Sequence, residues 1–358
     1  MKTVDRLMQK ALEDGVFPGG VLLVSKEDQI VFFEDYGYAD IFSGTRMTRE
    51  TIFDLASITK TLATTPAVMR LVQQNKLNIE TRIGEILSEF TSDEKGNIRI
   101  RELLTHTSGL IDWRPYYPDV YPYPPKDRKA ALRAMLLKES LIEQPGEKML
   151  YSDLGFMFLE WIVESLSRKT LDNFVKEEIY DPLGLDNLFF TDTSSGITPE
   201  GHFAATENCP WRKMVLQGLV HDDNAYSVGG VCGHAGLFGT AEAVRLLVSE
   251  LLNTYYGHSS KGIFRQDIVS LFFKRQENAG RALGFDCPPG KDGSCGQYFS
   301  EKTIGHLGFT GTSFWADMMR FAVVILLTNR VHPSRENIKI RAFRPMLHDA
   351  VMKALGYA

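Results

Sequence analysis

The chain has 358 residues, 44% of them hydrophobic and 24% charged, with a formal net charge of −5. At roughly 150 residues per domain this allows about two globular units with useful cores, and with no basic stripe a nucleic-acid partner is not expected. No membrane span is expected either: the longest apolar run, Phe321 to Leu327, falls far short of ~20 residues and reads as a buried strand.

The first fifteen residues, MKTVDRLMQKALEDG, form a short amphipathic helix in pattern, with Val4, Leu7, Met8, Ala11 and Leu12 on one face. They hold no apolar core segment and no small-residue cleavage site, so a cytoplasmic location is expected, a periplasmic one being the alternative had a leader been removed. Gly19 to Lys26 and Gln29 to Gly37 read as an antiparallel hairpin turning at Glu27-Asp28. From Ser57 the spacing becomes helical through Leu62, Ala63, Ala67, Val68, Leu71 and Val72, with a kink expected at Pro66.

Residues 76 to about 215 are mostly helical in pattern. Within them, Trp113 to Pro125 holds five prolines and four tyrosines in thirteen residues. That insertion is either a rigid surface loop whose tyrosines cover the helical region or an aromatic wall over a substrate pocket. Ser227 to Thr240 contains five glycines, and Ala241 to Leu252 reads as a helix. Thr303 to Phe309, Thr312 to Met318 and Arg320 to Asn329 read as three consecutive strands. A last helix is expected to start at Pro345, a favoured first helical position, and to end at Gly356. Strands at both ends with helices between them predict an α/β unit from residues 1–75 and 216–358, with a mostly helical unit inserted at 76–215.

Four cysteines are present, and none forms a CxxC pair. Cys287 and Cys295 bracket a Gly/Pro-rich loop and would bridge in an oxidising compartment, the minority reading here. His221, Asp222 and Asp223 lack the spacing of a metal-ligand set, and the glycines from Gly229 lack the G-K-S/T ending of a phosphate loop, so neither a metal nor a cofactor is expected. His234 reads as packed inside that glycine turn, and His106 as a turn-stabilising histidine rather than a site residue.

Chemistry is carried by three short signals. Ser57-Ile58-Thr59-Lys60 is an S-x-x-K whose spacing puts hydroxyl and amine on one helical face. A buried lysine loses its charge readily and can then take the serine proton, and backbone N–H groups at a helix start can receive an oxyanion. The motif alone is weak. Tyr151-Ser152-Asp153 follows the Pro145-Gly146 turn, and His306-Leu307-Gly308 lies on a predicted strand.

Together these three resemble the serine β-lactamase and penicillin-binding-protein superfamily, whose motif set begins with S-x-x-K. The branch with Y-x-N and H-x-G, which includes class C β-lactamases and related esterases and peptidases, looks closest. The resemblance runs through PGG at Pro18, FDLASITK around Ser57, LLTHTSGL from Leu103, PGEKMLYSDLGF, the glycine-rich stretch from His221 and GHLGFTGTSFWAD. It implies an α+β fold with an antiparallel sheet flanked by helices, and a site in the cleft beside the helical insertion. It also implies an acyl-enzyme route: Ser57 attacks, Lys60 and Tyr151 share the proton transfers, and the backbone N–H groups of Ser57 and Phe309 form the oxyanion hole. Asp153, His306 and Gly308 would contact a small-molecule or peptide substrate.

Two positions depart from the pattern. Asp153 stands where many relatives have asparagine, so an acceptor replaces a donor. His306 stands where β-lactamases carry a lysine, so a fixed cation becomes a group mostly neutral at pH 7. Both favour an esterase or peptidase, with a β-lactamase, or a penicillin-binding sensor that acylates without turnover, as the alternative.

Overall fold

The computed structural model describes residues 1–194, 199–259, 261–290 and 293–357. Its main sheet has six antiparallel strands. These are β1 (Gly19–Lys26), β2 (Gln29–Asp40) and β3 (Thr45–Arg46) from one end of the chain, and β9 (Thr303–Leu307), β10 (Ser313–Asp317) and β11 (Ala322–Thr328) from the other, in the order β3-β2-β1-β11-β10-β9. Strand β1 therefore pairs with β2 on one side and with β11 on the other, from Gly20 opposite Thr328 to Lys26 opposite Ala322. Both central strands are buried nearly throughout. Their apolar runs, GGVLLVSK and AVVILLT, have that character because helices cover both faces.

Alternate side chains feed two cores. Leu22, Val24, Trp315, Val324 and Leu326 meet Val4, Met8 and Ala11 of the N-terminal helix Lys2–Glu13, together with Phe343, Leu347 and Val351 of the C-terminal helix Ile340–Ala354. Val21, Leu23, Val323, Ile325 and Leu327 join the larger core, which holds Val244, Leu247, Val248 and Leu251 of helix Ala241–Tyr256 and continues into Phe90, Phe156, Phe158 and Trp161. Burying aliphatic and aromatic side chains on this scale is the main favourable contribution to the fold. Two small sheets complete the strands: β4 (Phe53–Asp54), β8 (Leu237–Gly239) and β5 (Leu188–Phe190) in the order β4-β8-β5, and the pair β6 (Asn208–Cys209) and β7 (Met214–Val215).

Three sequence expectations are corrected. The last helix begins at Ile340 and contains Pro345 rather than starting there. Burial of Ile340 and Phe343, and the bond from Arg344 to the Thr312 carbonyl, extend it upstream of the proline. The Ser57 segment is not one kinked α-helix: a 3₁₀ turn, Ala56–Ile58, leads into a π-turn, Lys60–Thr64, before the α-helix Thr65–Gln73. Pro66 explains the π-turn. It has no N–H for the Leu62 carbonyl, which instead accepts from the buried Tyr180 hydroxyl at 2.7 Å, and the register slips so that Thr65 N–H bonds to Lys60 O. Finally, β9 stops at Leu307, two residues short of Phe309, because residues 308–312 fold into a loop closed by Gly308 N–H to Thr312 O at 2.7 Å. No helix among the described residues is long and apolar enough to cross a membrane.

Candidate active site

Ser57 is presented by a strained turn. The preceding Ala56 has φ +48°, a left-handed value unusual for a residue with a Cβ. The conformation is held by the buried carboxylate of Asp54, which accepts from Ala56 N–H at 2.8 Å and from His221 N–H at 2.6 Å. The 308–312 loop is fixed to the same strand: Thr310 and Thr312 donate their hydroxyls to the carbonyls of Asp54 and Leu55. Gly308 makes this approach feasible, since a Cβ there would lie 2.0 Å from Thr312 Oγ1 and 2.6 Å from Leu55 O. Arg330 and Arg344 grip the loop from behind through the carbonyls of Phe309 and Thr312.

Lys60 is fully buried, and its ammonium meets three acceptors. Nζ lies 3.0 Å from Ser57 Oγ, 3.1 Å from the His234 carbonyl and 2.7 Å from Asp153 Oδ1. It also sits 5.0 Å from the centre of the Tyr151 ring. Burial alone would lower its pKa, but Asp153 and Tyr151 outweigh burial and hold it above the ordinary lysine value. Asp153 therefore does face the Ser57–Lys60–Tyr151 cluster.

The arrangement of Tyr151 and Asp153 follows from the residue between them. Ser152 caps the helix Asp153–Ser167, its Oγ accepting from Gly155 N–H at 3.4 Å while donating to Ile111 O at 2.6 Å. Its own N–H donates to His106 Nδ1 at 3.0 Å, and the His106 ring stacks on Tyr151 with centroids 4.4 Å apart. His106 is thus the turn-stabiliser its context suggests, and it also backs the Tyr151 ring. Burial pushes its pKa well below the usual value, so it is neutral with the proton on Nε2.

The cleft has two lobes, and Ser57, Tyr151 and Phe309 line both. One, of about 360 Å³, is bounded by Trp113, Asp153, Asp222 and His234. Asp222 Oδ1, half-buried, lies 2.9 Å from Nε2 of the buried His234, and each partner favours the charged form of the other against burial: His234 is raised and Asp222 lowered. Asp153, Asp222 and His234 offer ligand atoms within 4.8 Å of one another. With Lys60 on Asp153 and His234 on Asp222, however, the set is already charge-paired and is a poor cradle for a cation.

The other lobe, of about 330 Å³, is bounded by His306, Gly308, Arg330, Arg341 and Arg344. His306 is buried and its Nδ1–H donates to Leu307 O at 2.8 Å. Burial lowers its pKa to about 4, so it is neutral at pH 7. No ion pair engages the three arginines among the described residues. Burial, with Arg341 nearby, lowers Arg330 to about 10, and burial, with Arg330 nearby, lowers Arg344 to about 9. Asp286, the acid in this lobe, is bonded by Arg281.

Of the Trp113–Pro125 insertion, only Trp113 lines the cleft; Tyr117 and Tyr121 pack on Trp211, and Tyr121 stacks on Tyr226. All four cysteines are free and buried. Sequence reading missed the arginine lobe and the position of the Asp222–His234 pair within the cleft. The pair sits in the glycine-rich stretch already noted, but arginines spread over residues 330–344 leave no local pattern.

The profile of the family described as Beta-lactamase matches residues 4–344. An N-acetylmuramyl-L-alanine amidase of Bacillus subtilis (strain 168) is 34% identical over 93% of this chain and 81% of its own. A protein of Escherichia coli (strain K12), provisionally named a D-alanyl-D-alanine carboxypeptidase, is 32% identical over 93% of this chain and 82% of its own. Among solved structures, EstCE1, described as a hydrolase with promiscuous acyltransferase activity, superposes with a TM-score of 0.72 at 22% identity, covering 96% of this chain and 98% of its own.

Proposed function

We propose that this chain, which belongs to the β-lactamase family, hydrolyses a carboxylate-bearing ester or amide through an acyl intermediate on Ser57. Serine hydrolysis of ester or amide bonds is what the family and its relatives support. The observation that carries the residue assignment is the 3.0 Å contact between Ser57 Oγ and the buried Lys60 ammonium. In the resting state Lys60 donates to the serine oxygen. Once it has lost a proton it accepts the serine proton as Oγ attacks the substrate carbonyl, and Tyr151 hands a proton to the leaving group and takes one back from Lys60. The oxyanion lies between the backbone N–H groups of Ser57 and Phe309. Water then attacks the acyl carbon and restores Ser57.

The arginines of the second lobe, Arg330 and Arg344 buried and Arg341 exposed, have no carboxylate partner among the described residues, and this positive potential supports a substrate with a carboxylate near the scissile bond. Relatives named as an amidase and a carboxypeptidase are consistent with a peptide-like amide. Neutral, buried His306 offers no fixed charge of its own, which weighs against a dedicated β-lactamase.

The test is intact mass after exposure to a fluorophosphonate, an ester panel, a peptide ending in two D-alanines and a penicillin, with the adduct mapped. Covalent labelling at Ser57, lost in Ser57→Ala with a fall in kcat on the order of 10⁴ to 10⁶, is expected. Undiminished hydrolysis by purified Ser57→Ala would overturn the mechanism.

A further inference from the structure

A cavity larger than either lobe lies away from the Ser57 cleft and shares no lining residue with them. It encloses about 780 Å³, within the range of small-molecule sites, between helix Ala241–Tyr256, helix Gln266–Phe273 and the outer edge of β9. Its apolar wall includes Tyr255 and Phe273, whose ring centroids are 5.9 Å apart. Three cations, Lys274, Arg275 and Lys302, stand on its rim, and none has a carboxylate partner among the described residues; Arg275 donates only to Pro288 O at 3.1 Å. Glu301 is the sole acid among the lining residues.

Thr303 lies in the same lining and is fully buried; opposite Asp317, its side chain is on the Trp315 face of the sheet, so it borders the cavity through its backbone. That backbone offers a donor. Gly305 exchanges both of its hydrogen bonds with Asp286 on the outer side of the sheet. The alternation of an antiparallel strand turns the N–H of Thr303, two residues back, the same way. The next residue opposite is Pro288, which has no N–H to continue the ladder.

We propose that this cavity is a second binding site, for a small organic anion on an aromatic or apolar body. The rings receive the body, the cations and the Thr303 N–H receive the anion, and the site is independent of acyl transfer at Ser57. Three like charges around one apolar mouth repel one another when it is empty, and an anion removes that repulsion.

The probe is 8-anilino-1-naphthalenesulfonate, titrated calorimetrically into the full-length protein at physiological salt. One saturable site is expected. Reversing two exposed charges, Lys274→Glu with Lys302→Glu, should weaken it by about tenfold or more, a loss on the scale of two partly screened charge contacts. Arg341→Glu, at the edge of the Ser57 cleft, should leave it within twofold. Affinity unchanged in the Lys274/Lys302 double variant would overturn the proposal. So would weakening by Arg341→Glu instead, which would put the dye in the Ser57 cleft, or a non-saturating isotherm.

Discussion

Lys60 has three acceptors, and Asp153 is the one that brings a full negative charge, at 2.7 Å. Its sign fixes a pH dependence. The anion stabilises the ammonium and raises the lysine pKa, so the base form that takes the Ser57 proton is populated only at higher pH. At this separation and an effective dielectric of 20 the attraction is about 6 kcal/mol, an upper bound of about four pH units, and water in the cleft reduces it to about one to three. We therefore expect an alkaline-side optimum for the wild type and an acid limb displaced downward by about one to three units in Asp153→Asn. The measurement is kcat/KM for one neutral ester from pH 5 to 10, and superimposable profiles would refute the pairing as a catalytic control. The Ser57–Lys60 contact was legible because three residues make nearly one helical turn. The third acceptor, the His234 carbonyl, was not, since it arrives from 174 positions away.

At the scale of elements, the helix beginning at Asp153 shows how one cap sets two side chains. Ser152 joins the helix start, the Ile111 carbonyl and the His106 ring. Replacing it with alanine removes the cap and takes the donor from a part-buried carbonyl, a cost of about 1–2 kcal/mol. Because the same residue holds Tyr151 and Asp153 in register, Ser152→Ala should also lower kcat roughly tenfold under conditions where the protein remains folded. Urea midpoints and ester kinetics separate the two effects, and full kcat in a destabilised protein would reduce Ser152 to a plain cap. The hairpin and the three C-terminal strands were readable from alternation and apolar runs. The π-turn was not: Pro66 announced a disturbance, but the form it took depended on the distant Tyr180 hydroxyl. Pro345 misled for a similar reason, as Ile340, Phe343 and Arg344 find partners only in the folded molecule.

Across the whole molecule, His106, His306 and His348 are buried and neutral. Burial holds His306 and His348 at about 4 and His106 well below its usual value. Each is protonated in the unfolded chain near pH 6.5 but not in the native state until lower pH, so the unfolded state binds more protons between these values. Stability should accordingly rise with pH across that window and be lost as pH falls from about 6.5 toward 4. His306 and His348 would each account for at most about 3 kcal/mol. His348 lines neither lobe of the cleft, and its Nδ1–H donates to Ser294 O at 2.8 Å. His348→Asn keeps a donor there without the titration. Urea unfolding at pH 7, 5.5 and 4.5 should show a shallower decline for this variant, and identical slopes would reject the assignment. Fold class was legible from strands at both chain ends, but a protonation pattern of this kind was not, because burial belongs to the assembled core.

Pairing β1 with β11 also has a consequence in time. When β1 and β2 leave the ribosome, the partner that covers the inner edge of β1 has not been made. At ~5–20 residues per second it follows on the order of tens of seconds later. Until then Val21, Leu23 and Val24 border an open, apolar strand edge of the kind that invites association with other chains. Closure of the sheet waits for residue 328, so the central strand, the most protected part of the finished molecule, is its most vulnerable part during synthesis.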